Sequence, residues 1–198
     1  MEIDWDAERP STADVEVARR RISFEPVIVE TPVTSRLVDV FRTIFTNGGA
    51  PVATFAVREL DATAQWFLGR NRFQEFDFLE LLLTSCALAA ALPELGPVDD
   101  DPASGFEESN PLLWDGQLAW VLTSGGAHGG FEGSAADAKR LGREVSDEVI
   151  GDRFEDFRLD RSQEYWSEWF GGVAWDETWV LTDSRQQRVT LLCTTDSD

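Results

Sequence analysis

The sequence predicts an α+β fold: one domain with a mixed or mainly antiparallel sheet, packed against helices and ending in a C-terminal β-hairpin. Three observations carry this. Runs rich in β-branched and aromatic residues interleave with runs at helical spacing, without the regular strand–helix alternation of a parallel sheet. Near the C-terminus, "GVAWDETWVLTD" and "QRVTLLCTTD" flank the short polar "SRQ", as two antiparallel neighbours would. The 198 residues are 42% apolar, enough for one sizeable core.

In chain order, residues 1–13 are polar and read as a flexible N-terminal segment with Trp5 as an anchor, leaving 14–198 as the domain. "RISFEPVIVET" (21–31) reads as a strand, and Pro26 marks it as an edge or a bulge. Leu37, Val38, Phe41, Ile44 and Phe45 then recur at helical spacing. Thr34 or Ser35 can cap that helix, and Asn47-Gly48-Gly49 stops it. "APVATFAVREL" (50–60) is a second strand, and Asp61 opens a short helix that ends near Gly69. A leucine-rich helix is predicted from about Asp77 to Ala91; it is apolar around most of its circumference and therefore central and buried.

The segment 96–111 holds three prolines and Asp99-Asp100-Asp101, which makes it an acidic loop. "LLWDGQLAWVLTSGG" (112–126) reads as a hairpin around Asp115-Gly116. Ser134, with Asp137 three residues on, starts a helix whose apolar stripe is Ala135, Ala138, Leu141, Val145 and Val149, ended by Gly151. Residues 152–170 fit a strand in their first half and a helix face in their second.

Charge narrows the partners. There are 37 acidic against 17 basic residues, net -20, and Lys139 is the single lysine. Such a field repels nucleic acid and anionic lipid and attracts cations and basic proteins. The same balance also arises as a proteome-wide habit, for example in salt-loving organisms. The acidic N-terminus lacks a secretion signal and no apolar run is long enough to span a bilayer, so a soluble cytoplasmic protein is expected. Cys86 and Cys193 read as buried thiols, with one long-range disulfide left open. One histidine and two distant cysteines make no zinc set, and neither a metal nor a cofactor is expected.

The glycine cluster "SGGAHGGFEGS" (124–134) follows a predicted strand and precedes a helix, where phosphate-cradling loops sit. It lacks both G-x-G-x-x-G spacing and a P-loop lysine, so a flexible connection or a mobile lid competes with that reading. His128, the only imidazole, is a tempting general base, yet no nucleophile motif accompanies it, and no catalytic residue is assigned. Carboxylate pairs suited to glycoside hydrolysis are expected by chance among so many acids. Gly125, Gly126, His128, Gly129 and Gly130 form the candidate small-molecule site.

A strand over 173–182 would turn Val173, Trp175, Glu177, Trp179 and Leu181 to the core. Gly172, Ala174, Asp176, Thr178, Val180 and Thr182 would face solvent or a partner. Trp166 and Trp169, beside Tyr165 and Phe170, sit among Asp156, Asp160, Glu164 and Glu168. Together with Asp176 they are the candidate partner-binding residues; capping the core is the other reading.

In size, acidity and the segment "WFGGVAWDETWVLTD", the chain resembles acidic immunity proteins of bacterial toxin systems and uncharacterised actinobacterial proteins with a Trp- and Asp-rich C-terminal strand. The resemblance implies a protein that binds and blocks a basic toxin, for instance a nuclease, by filling a cleft meant for phosphates. The alternative is a small-molecule-binding or hydrolytic enzyme with its site near the glycine loop.

Overall fold

A computed structural model describes residues 5–29 and 31–197. Ser11 and Asp14 form a capping box that starts α1 (Thr12–Arg21), so residues 12 and 13 belong to a helix and not to a loose tail. Edge strand β1 (Ser23–Val27) follows, with Pro26 inside it as expected. Helix α2 (Pro32–Ile44) is capped by Thr31, one turn earlier than the sequence predicts. Pro32 fits the first turn because its missing N–H has no partner there, and Thr34 bonds back to Thr31. β2 (Val52–Arg58) and α3 (Ala62–Gly69, capped by Asp61) stand as expected.

The leucine-rich helix is two helices, α4 (Phe78–Leu83) and α5 (Cys86–Ala91). Ser85 Oγ accepts from Leu88 N and starts a new helix, which leaves Cys86 exposed, contrary to the expected burial. The acidic loop contains a short edge strand, β3 (Glu107–Ser109). The expected hairpin at 112–126 is instead α6 (Trp114–Ser124). Trp114, Leu118, Val121 and Leu122 bury one helical face, and that period outweighs the local turn signal of Asp115-Gly116. α7 (Ala135–Val149) carries the predicted Ser134–Asp137 capping box, and its hydrogen bonds hold the Asp137 carboxylate down at about 2. β4 (Phe157–Ser162), β5 (Glu177–Asp183) and β6 (Arg188–Thr194) complete the sheet, and β5–β6 is the predicted hairpin.

The six strands run β1-β2-β6-β5-β4-β3, every neighbouring pair antiparallel. Helices cover both faces. α1, α3, α4 and α5 pack on Phe55, Val57, Val180, Val189, Leu191 and Cys193. α2, α6 and α7 pack on Leu159, Trp179, Leu181 and Leu192. Alternation along β5 therefore feeds two cores, and this corrects one expectation: Thr178, Val180 and Thr182 are buried under the first helical layer, not solvated. The other face agrees with the sequence for Trp179, while Trp175 is only partly buried. Glu177, also on that face, is buried on the guanidinium of Arg161 (Nη2–Oε2 2.6 Å), and burial raises its carboxyl above the ordinary value. Both cysteines are free; Cys193 is fully enclosed, which pushes its thiol up to about 12.

Candidate functional site

The glycine cluster is a packed joint. It follows helix α6, not a strand. A Cβ at Gly126 or Gly129 would collide with the carbonyl of Ile44 at the end of α2, so only glycine lets these backbones touch. Asp196 locks the joint: its Oδ1 accepts from Asn47 N at 2.9 Å and its Oδ2 from Ala127 N at 2.8 Å. Gly125, at φ +74, ends α6. His128 and Gly130 are exposed at the tip, and among the described residues His128 makes no hydrogen bond to a nucleophile or a carboxylate. The geometry accounts for Gly126 and Gly129 by backbone packing. Gly129→Ala should therefore lower stability by about 1–3 kcal/mol through overpacking. A shift of the urea midpoint checks this; an unchanged midpoint would mean that the loop yields freely.

The predicted partner residues divide. Asp160 is 1% exposed and held by Arg158. Trp166 is buried against Phe106 and Phe170 and donates Nε1–H to Thr178 Oγ1 at 2.9 Å. Asp176 is buried, accepting from Val173 N at 3.0 Å and from the Thr195 hydroxyl. A partner docking on this structure reaches none of the three, so they are corrected from contact residues to structural ones. Asp156 stands at the other end of β4 from Glu164 and faces Arg153 and Arg185 at 3.6 and 3.7 Å.

Glu164, Glu168 and the half-buried Trp169 remain, and the fold adds neighbours to them. The segment 163–172 lies against the acidic loop: Asp99 N donates to Trp166 O, Glu168 N to Pro97 O, and Val98 bridges Ser167. Trp166 is the anchor that seats this pair of loops on the core. Along the resulting edge stand Asp99, Asp100, Asp101, Glu107, Glu108, Glu164 and Glu168, all exposed, with Tyr165 58% exposed among them. Glu108 is tied to Arg158 and Asn71. Among the described residues the other six acids meet no lysine or arginine. The sequence signal was the absence of any Lys or Arg from 96–110 and from 162–176, two stretches whose adjacency only the fold reveals.

Beside this edge opens a cavity of about 540 Å³. Phe73, Phe78 and Phe106 wall it, Asp77, Glu80 and Asp101 add carboxylates, and Arg158 also lines it. Burial first, then the charges of Asp101 and Asp77, raise the Glu80 carboxyl above its ordinary value. Asp77 is matched by Arg19 at 2.7 Å. Among the described residues no group of His, Cys, Asp and Glu is arranged to hold a metal ion, and no helix is long and apolar enough to cross a membrane.

Fold and edge together define an antiparallel sheet between two helical layers with one strongly anionic rim. No protein-family model matches the chain, and a comparison with curated proteins gives no significant match.

Proposed function

We propose that this is a non-enzymatic binding protein that takes a basic protein partner on its anionic rim, in the manner of a toxin-neutralising immunity protein. The single observation that carries the reading is the run of six carboxylates on one edge that form no ion pair among the described residues. Tyr165 and Trp169 supply aromatic area of the kind that concentrates binding energy, and the acids around them steer a cationic surface and speed its approach. The adjacent cavity suits the stem and head of an arginine or lysine, between phenylalanine walls and carboxylates. A partner whose cationic cleft normally holds phosphate would be blocked by such a rim.

The test is affinity capture from the source organism's lysate, at low and high salt, with three baits. These are the unaltered protein, Glu164→Lys with Glu168→Lys, and a control with Asp147→Lys and Glu155→Lys, exposed acids away from the rim. The rim variant should lose at least about tenfold of a basic partner that the other two retain, with thermal stability unchanged in all three. Retention by all three baits, or by none, overturns the reading.

A further inference from the structure

Between α2, α7 and the strands β2, β5 and β6 lies a groove of about 490 Å³, which shares no residue with the anionic rim. Its volume is that of a site for a small organic molecule. Leu181, Leu192 and Val52 supply apolar sheet surface, and Val38, Val149 and Trp114 line it from the helices. Two polar features on these walls need an explanation.

Trp114 is only 4% exposed, yet among the described residues its Nε1–H meets no acceptor. A buried indole N–H normally finds one, so the unmet donor marks a place where a bound oxygen would be stabilised. Arg188, half-buried on β6, donates to Gln186 Oε1 at 3.0 Å and among the described residues meets no carboxylate. The other two arginines of the groove are matched: Arg153 by Asp183 at 2.9 Å and Arg42 by Asp39 at 3.5 Å. With Glu148 the groove holds three acids and three arginines, in a chain whose net charge is -20. It is a locally balanced apolar surface on which an anion escapes the repulsion that the rest of the molecule exerts.

We infer that the groove binds a small amphipathic carboxylate, its apolar body on the sheet and its carboxylate on Arg188. Trp114 Nε1–H serves as donor to a ligand oxygen. This site is independent of the proposed partner rim.

The experiment titrates the full chain with decanoate below its micellar concentration, read by calorimetry and by the ¹H–¹⁵N signals of the tryptophan indoles. Trp114→Phe identifies the Trp114 signal. Saturable one-to-one binding should move that signal, 1-decanol should bind more weakly, and Arg188→Gln should weaken decanoate at least about tenfold. Val149→Trp, which fills the groove, should abolish binding; if that variant does not fold, Arg188→Gln still decides. Absence of saturable binding overturns the proposal. So does binding that leaves the Trp114 signal in place or survives Arg188→Gln. Equal affinity for decanol overturns the carboxylate assignment.

Discussion

Arg158→Met is expected to lower the unfolding free energy at pH 7 by about 3–5 kcal/mol, the usual result of leaving one member of a buried ion pair alone. Arg158 and Asp160 alternate onto the same face of β4, and the guanidinium holds both carboxylate oxygens, Nη2–Oδ1 at 2.6 Å and Nε–Oδ2 at 2.7 Å. Its Nη1 reaches Asn71 and Glu108, and its Cζ lies over the Phe73 ring, 4.7 Å from the ring centre. Without it Asp160 stays buried with no cation. Arg158→Met with Asp160→Leu should recover most of the loss, because the cost lies in the orphaned charge and not in the missing pair.

The pH dependence follows with a definite sign. Burial already raises the Asp160 carboxyl, against the pull of Arg158, and removing Arg158 raises it further. Between the ordinary carboxylate value and the raised one, the folded state keeps a proton that the unfolded state has released, so stability falls as pH rises through that window. The deficit of Arg158→Met should therefore shrink on acidification. Urea unfolding across pH checks both points; a loss below about 1 kcal/mol at pH 7 would show that water replaces the guanidinium at little cost.

Trp179→Ala should cost about 3–5 kcal/mol, as core aromatic truncations do. The ring is fully buried, stacked on Phe41 of α2 with centroids 6.4 Å apart, and its Nε1–H reaches Gln117 Oε1 of α6 at 3.1 Å. One side chain thus seats two helices on β5. Denaturant unfolding measures the loss, and a change under about 1 kcal/mol would mean that the α2–α6 layer closes over the gap.

The parts of the fold visible in the sequence are those with a single period and one partner. α2 and α7 bury one face each in a pattern that the residues state directly, and the β5–β6 hairpin shows as two apolar runs around a short polar turn. α6 was obscured by Asp115-Gly116, two residues that favour a tight turn when nothing else packs on them. The second face of β5 was misread because Thr178 and Thr182 are polar; Thr178 is buried with a partner, Trp166, that lies in another segment. The rim divides in the same way. Glu164 and Glu168 were legible as exposed acids beside aromatics. Asp160 and Asp176 look similar to them in sequence; burial under the fold removes both from the surface, Asp160 with Arg158 two residues away on the same strand and Asp176 with Thr195 from a distant segment. α1 was missed because Val15 and Ala18 alone are buried in a short helix that is mostly polar.

The position of β6 has a consequence for how the chain is made. It sits between β2 and β5 yet is the last of the six strands in chain order, so the seam at the middle of the sheet closes only after the other five have been made. Until then β1–β2 on one side and β3–β4–β5 on the other each present an unpaired strand edge, and the hydrophobic faces on which α1 to α7 rest are cut in two. Emerging chains of this protein are therefore exposed to one another's edges until β6 has been made. Mutual repulsion between polypeptides of strong like charge keeps them apart during that interval, a service to biogenesis that persists whether or not the finished molecule ever meets a partner.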